Sequence, residues 1–296
     1  MSSIQDLRFH IRSIKNISQV TGALETVSTS KVRRLVQAYK AAQPYAEKSW
    51  KVLLHLARQP GHSSLHPLLR ERTEVKKALV ILIASDRGLA GSYNINIVRH
   101  ALQQFKSYSI PVSYVAIGRK GRDMLIRQGE HVLAEFSNIP SPPSFIDLSA
   151  AGYLVVNEFL MGEYDQVYLA YTRFVNMTHQ DQIVRKLLPL DVRYESEKSL
   201  DNVTHQSKLI FEYEPNQIEL LDEIIPRFTA WQIYAGVLSA HASEHAQRRM
   251  AMHNAKSNAR ELINGLELEY NKVRQRTITN DILDVTGGTE MFNSSI

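Results

Sequence analysis

The two ends of this chain share one rhythm. Ile4, Leu7, Ile11, Ile14, Ile17, Val20, Leu24 and Val27 recur at steps of three or four, a single apolar stripe on a long helix. No proline interrupts it before Pro44, so up to Gln43 the helix spans about 60 Å at ~1.5 Å per residue. That is longer than a small globular core needs. Leu35, Val36 and Tyr39 prolong the stripe, and Trp50, Leu53, Leu54 and Leu56 continue or restart the helix toward Arg58. Near the other end Met252, Ala255, Ala259, Leu262, Leu266, Tyr270 and Val273 repeat the spacing, with small residues where two backbones approach. Pro226 is expected to break or kink this second helix near its start, and Gly287 with Gly288 to stop it. Each stripe faces water if left alone, so the two bury each other as an antiparallel coiled coil. A pair this long leaves a large outer face that is either hydrated or enclosed by something else.

The middle has a different rhythm. ALVILIA at 78–84 is a continuous apolar run rich in β-branched residues and closed by turn material, which reads as a buried strand. Segments 112–117 and 166–175 repeat the theme, with helical patterns at 95–108, 119–127 and 148–161 around them. Alternation of this kind predicts a small Rossmann-like α/β domain with a mainly parallel sheet. Segment 182–189 adds an edge or antiparallel strand, and 194–207 is a polar connector. The expected organisation is an N-terminal coiled-coil helix at 1–58, an inserted α/β domain at 75–190, a connector or foot at 191–215, and a C-terminal coiled-coil helix at 216–288.

Composition removes several chemistries. The chain of 296 residues has no cysteine, which excludes disulfide frameworks, thiolate zinc sites, iron–sulfur clusters and thiol nucleophiles. No apolar run approaches the ~18 residues of a membrane span, and the first residues lack a signal peptide's apolar core. The expectation is a chain that meets a membrane only through partners. Residues 1–58 hold ten Lys and Arg against three Asp and Glu, whereas 59–215 hold seventeen of each. The positive surplus therefore sits on one terminal segment, suited to nucleic acid, anionic lipid or an acidic protein surface.

Three patterns invite a chemical reading. His241, Glu244 and His245 spell H-x-x-E-H, in which two histidines one helical turn apart bind zinc and the glutamate activates water. A zinc metallopeptidase is thus one alternative, although no third ligand or cleft is evident. Ser85 to Ser92 (SDRGLAGS) follows a buried strand and offers backbone amides to an anion, yet it is neither GxxxxGK[ST] nor GxGxxG. A tight strand-to-helix turn suffices. Lys31, Arg33 and Arg34, with Arg8, Arg12 and Lys15, form a basic stripe without interleaved aromatics. A basic coiled-coil nucleic-acid-binding protein is a second alternative, and a sleeve of acidic protein is the sharper one.

The same residues resemble a known family. Ile14 to Val20, then Thr21, Ala23, Leu24, Glu25, Val27, Ser30 and Lys31, with Pro44, Tyr45, Ala46 and Glu47, are similar to the first helix of the gamma subunits of F-type ATP synthases. Ser85, Asp86, Arg87, Gly88 and Leu89 with Gly91, Asn94, Ile95 and Asn96 resemble that family's most recognisable turn. Ala242 to Ala246, Met250 to Met252, Asn258 and Ala259 resemble its last helix, and Tyr270, Asn271, Lys272, Arg274, Gln275, Ile278 and Thr279 complete it. The resemblance implies a non-catalytic central-stalk rotor with no cofactor or metal of its own. It implies a coiled coil inside an α3β3 hexamer of α and β subunits, a foot on the membrane c-ring, and epsilon alongside.

By the same resemblance Arg274, Gln275 and Thr279 meet β-subunit loops, and Lys31, Arg33 and Arg34 approach acidic lever segments of β. Leu24 is a further partner-contact position by this resemblance, and Phe211, Tyr213 and Glu214 sit where the foot meets the c-ring and epsilon. Nucleic acid is not an implied partner. The sequence departs from the family at Gly22, where a lysine is common, at Ser28 and Thr29, where alanines are usual, at Ala90, often cysteine, and at Phe211, often tyrosine. No transit peptide is visible, so the expected location is the cytoplasmic face of a bacterial inner membrane.

Overall fold

A computed structural model describes residues 4–57, 67–70, 72, 74–190 and 217–293. They fall into two compact units, Ser28–Arg248 and the pair of segments Met1–Val27 and Arg249–Ile296. Two long helices contribute to both: α1 (Ile4–Ala57), which continues through Pro44, and α5 (Gln217–Asn293).

The Ser28–Arg248 unit is built on a sheet of β1 (Ala78–Ile83), β2 (Val112–Ile117), β3 (His131–Phe136), β4 (Gln166–Phe174) and β5 (Gln180–Leu188). Its spatial order is β3-β2-β1-β4-β5, parallel throughout except for the antiparallel β4–β5 pair. The continuous apolar run of β1 follows from its central place, since all six of its residues are fully buried. Alternation assigns Leu79, Ile81 and Ile83 to one core and Val80 and Leu82 to the other. The second core is closed by Ile97, Val98, Ala101 and Phe105 of α2 (Tyr93–Phe105) and Leu125 of α3 (Arg119–Arg127).

The first core is closed by α4 (Ile146–Leu160) and by α5, which inserts Ile225, Phe228, Ile233 and Val237. The start of α5 is therefore a sheet-covering helix as well as an extension of the C-terminal stripe. The break expected at Pro226 does not occur, since the helix continues through that position. Burying four large side chains at about 1.5–3 kcal/mol each outweighs the ~3 kcal/mol of an interior proline. Gly152 permits the crossing of α4 and α5, because a Cβ there would lie 2.8 Å from Ala230 Cβ.

Strand β3 adds a strand beyond the sequence pattern. It is an edge strand whose His131 and Leu133 are exposed, so it lacks the apolar run that betrays its neighbours. The turn before α3 needs Gly118: its φ is +103°, its N–H donates to Phe136 O at 2.8 Å, and a Cβ would strike the Ala84 carbonyl.

In the other unit α1 and α5 run antiparallel: Arg8 meets Tyr270, Lys15 meets Glu267 and Glu25 meets Lys256. Leu7, Thr21, Met252, Ala259 and Ile263 are buried there. The seam differs from the expected stripe. Three-residue steps fall 60° short of a full helical turn, so the run 14, 17, 20 drifts away from the contact line. Burial instead follows 7, 11, 14, 18 and 21, leaving Ile17 and Val20 52% and 59% exposed. For the same reason Ile263, not Leu262, follows Ala259 one turn on into the seam; Leu262 is 58% exposed. The Gly287–Gly288 pair does not stop α5, which runs to Asn293. A helical glycine costs about 1 kcal/mol but removes no hydrogen bond, so it ends a helix only where a competing cap forms.

Candidate partner-contact surface

A seam whose phase takes in Thr21 and Ala259 while leaving Ile17, Val20 and Leu262 outside produces an apolar outer face. In the coiled-coil unit Thr21 enters the seam with its hydroxyl donated to Ile17 O (2.9 Å) and Ser18 O (3.0 Å), so no polar atom is stranded. Ile17, Val20, Val27, Leu262, Leu268, Ile278, Ile282 and Leu283 stay exposed, while Leu24 is half-buried.

Arg274, Gln275 and Thr279 lie on α5 within this unit, and all three are exposed. Thr279 Oγ1 donates to Gln275 O at 2.9 Å, which binds that hydroxyl to its own helix. Among the described residues the Arg274 guanidinium makes no hydrogen bond or ion pair. A cation held on a rigid helix with all five donors open is suited to a carboxylate.

One polar cluster crosses the seam. Glu25 accepts from His253 Nδ1 at 3.0 Å and from Lys256 Nζ at 3.2 Å. The His253 hydrogen bond, assisted by Lys256, holds the Glu25 carboxyl below the usual carboxylate range against a smaller opposing effect of burial. Sequence spacing alone does not reveal this cluster, because its members stand more than two hundred residues apart.

Lys31, Arg33 and Arg34 belong to the other unit. Arg33 and Arg34 are exposed, Lys31 is half-buried, and Val32 and Leu35 between and beyond them are buried, Leu35 against Leu238 and Ala242. The apolar positions thus orient the helix so that two of its cations face water. Nothing brings these cations into the same unit as Arg274. Phe211, Tyr213 and Glu214 lie outside the described residues.

The H-x-x-E-H segment is buried, and its chemistry is not that of zinc. Arg248 Nη2 donates to Glu244 Oε1 at 2.6 Å and to Gly88 O at 3.2 Å, while Arg248 Nη1 lies 3.1 Å from His245 Nδ1. A guanidinium therefore occupies the place where a cation would sit between Glu244 and His245. Burial first, then the charges of Arg248 and Lys31, push His245 down to about 3, and burial also lowers His241. No group of three or more potential metal ligands exists among the described residues. The H-x-x-E-H pattern does not include Arg248, although its place four residues after Glu244 is a helix ion-pair signal.

SDRGLAG is likewise absorbed into structure. Asp86 accepts from the backbone N–H of Arg119 (3.0 Å) and Asn138 (2.8 Å), and Asn94 Oδ1 accepts from Ser85 N at 2.9 Å. Since Arg248 reaches Gly88 O, this turn ties the C-terminal ends of β1 and β2 to α5. The cluster positions helices and offers no open anion cradle.

Known proteins with this arrangement share a common description. A family model described as ATP synthase matches residues 3–291. A chain from Roseiflexus sp. (strain RS-1), described as ATP synthase gamma chain, is 38% identical over 97% of this chain and 98% of its own. Among solved structures, the central stalk and c-ring of Tetrahymena thermophila mitochondrial ATP synthase contains a chain 25% identical, with TM-score 0.60 over 80% of this chain and 99% of that one. An 18% identical chain in the Euglena gracilis mitochondrial ATP synthase shares the fold, with TM-score 0.67 over 99% of this chain and 95% of that one.

Proposed function

The chain belongs to the ATP synthase gamma-chain family, and from that premise we propose how its residues carry the work of the subunit. It is the central-stalk rotor, not itself catalytic; the chemistry of ATP lies in the β subunits. Its partners are the α3β3 hexamer, the epsilon subunit and the c-ring. Rotation exchanges torque for nucleotide affinity. A face of the rotor that contacts one β conformation better than another shifts that subunit's equilibrium by the difference in contact free energy, and no further.

The observation that carries the reading is the outer face of the helix pair. Ile17, Val20, Leu262, Ile278 and Ile282 are exposed although the seam beside them buries Thr21 and Ala259. Such a surface suits a sleeve of surrounding protein. On it we assign Arg274, Gln275, Thr279 and Leu24 to contacts with β, and Lys31, Arg33 and Arg34 to acidic segments of the same ring. Arg274 supports this by its lack of any partner within the described chain. Phe211, Tyr213 and Glu214 are assigned to the c-ring and epsilon by family resemblance alone.

No helix among the described residues is long and apolar enough to cross a membrane; membrane attachment through the c-ring is part of the rotor reading. We place the subunit on the cytoplasmic face of a bacterial inner membrane, a reading that rests on the family resemblance. The test is reconstitution. The purified chain alone should hydrolyse no ATP, and should restore proton-coupled hydrolysis when added to the remaining subunits. Hydrolysis by the isolated chain, or failure to restore coupling, would overturn the assignment.

A further inference from the structure

Two consecutive stretches of α5 are held to the inserted domain by different forces. From Ala230 to Leu238 no side chain of the helix hydrogen-bonds to another element among the described residues. Ile233 and Val237 are fully buried in the first core, and even the indole Nε1 of Trp231 is buried without a partner. From Ser239 to Arg248 the contacts turn polar. One row faces the last two strands: Ser239 Oγ accepts from Phe174 N at 2.9 Å, and Gln247 Nε2 donates to Gln180 Oε1 at 2.6 Å. Between them Ser243 Oγ lies 3.0 Å from Thr172 O and from Ser239 O of its own helix. A second row faces α2 and the turn after β1, where Tyr93 Oη donates to Ala240 O at 3.1 Å and Arg248 Nη2 to Gly88 O at 3.2 Å.

Resting on the rotor reading, we propose that Ser239 and Ser243 are positioning residues for coupling: with Gln247 and Arg248 they fix the rotational angle of α5 against the inserted sheet. Burial of apolar area is non-directional, so the stretch up to Leu238 resists separation from the sheet more than rotation about the helix axis. Hydrogen bonds are directional and short-ranged. A turn of about 10° moves an atom about 5 Å from the helix axis by roughly 1 Å, enough to carry a 2.9 Å contact out of hydrogen-bond range. Because the rows 239, 243, 247 and 240, 244, 248 stand about 100° apart around the helix, rotation in either sense pulls on one of them. The angle that α5 carries beyond Arg248 therefore follows the angle of the α/β domain. A rotor needs that correspondence, since its faces act on β only when presented in register with the domain that turns them.

The experiment records rotation of the full complex with α3β3 immobilised and a probe on the inserted domain. The chain has no cysteine, so Arg99→Cys on exposed α2, labelled before assembly, supplies a single attachment point. Ser239→Ala with Ser243→Ala is expected to widen the variance of the resting angle about twofold, and to lower the proton gradient that ATP hydrolysis sustains by a similar factor. Ile233→Val destabilises the apolar stretch by a comparable amount and should leave the variance unchanged. Ser239→Thr, which keeps the hydroxyl, should retain the original width. An unaltered variance in the double variant overturns the proposal, as does equal widening by Ile233→Val, which would trace the effect to lost stability. A wider angle with an undiminished gradient overturns the link to coupling. Failure of the unaltered chain to rotate within the hexamer overturns the rotor reading itself.

Discussion

Lys256 crosses the seam directly over Gly22: its Cε lies 3.5 Å from where a Cβ on Gly22 would stand, and its Nζ reaches Glu25 Oε2 at 3.2 Å. The family resemblance leads one to expect a lysine at position 22. Here the positive charge near Glu25 arrives from the opposite helix, and glycine leaves room for the stem that carries it.

Gly22→Ala should therefore stabilise the coiled-coil unit by about 0.5–1 kcal/mol. The new methyl meets Lys256 at ordinary van der Waals distance, and the helix no longer carries the backbone entropy of an interior glycine. Gly22→Lys should do the opposite, since a second ammonium would crowd Lys256. Urea unfolding followed by helicity distinguishes them; a lower midpoint for Gly22→Ala would show that the two backbones tolerate no Cβ here.

Arg248 ties α5 to the turn after β1 through the Gly88 carbonyl while it holds Glu244 and His245 of its own helix, and it is 8% exposed. Arg248→Met preserves most of the side-chain volume but leaves the Glu244 carboxylate buried without its cation. Removing one partner of a buried pair costs about 3–5 kcal/mol. Thermal denaturation should show that loss. The double variant Glu244→Gln with Arg248→Met should recover part of it, because the stranded charge is gone. No recovery would mean that the carbonyl contact at Gly88, not the ion pair, is what holds the turn.

His245 gives the fold an acid sensitivity. Its folded value of about 3 lies below the ~6.5 of an unfolded histidine, so between them the unfolded chain binds a proton that the native chain refuses. Stability accordingly falls as pH drops from about 6.5 toward 3, by at most ~1.4 kcal/mol per pH unit for one proton. The groups that face the ring are Arg248, Lys31 and His241, all of which oppose a positive charge, and Ser141, whose Oγ lies 3.4 Å from Nε2. His245→Gln should flatten the slope between pH 6.5 and 5, measured by denaturant titration at each pH. An unchanged slope would assign the acid sensitivity to other groups.

The legible parts of this fold are those where burial is two-sided. β1 reveals itself as ALVILI because both faces lie in cores, and the edge strand β3 stays hidden because His131 and Leu133 face water. The seam was legible as a rhythm but misplaced in phase. Ile17 and Val20 look like core residues by hydropathy, whereas the contact line selects Ser18 and Thr21 by geometry. Hydropathy cannot distinguish an apolar residue that packs within the chain from one kept outside it. The same limit applies to H-x-x-E-H, whose spacing is that of a zinc helix but whose meaning is set by Arg248 and a carbonyl from a turn far away in sequence. Arg274 and Arg12 were visible as cations; only the structure distinguishes them from paired ones such as Lys15.

Arg274→Ala should uncouple the rotor without unfolding it. The residue is exposed and makes no hydrogen bond or ion pair among the described residues, so truncation costs the isolated chain little and its melting temperature should stay within about 2 °C. In the assembled complex the loss of a charge-assisted hydrogen bond is worth about 1.5–3 kcal/mol. Because coupling depends on the difference between contacts in successive β conformations, removing one such contact lowers the torque passed per step. Proton pumping per ATP hydrolysed should then fall while uncoupled hydrolysis rises. Arg274→Lys should retain part of the coupling, since the charge remains but the bidentate fork is gone. Unchanged pumping in Arg274→Ala would show that this face of α5 is merely hydrated, and that the ring reads the rotor through its apolar residues alone.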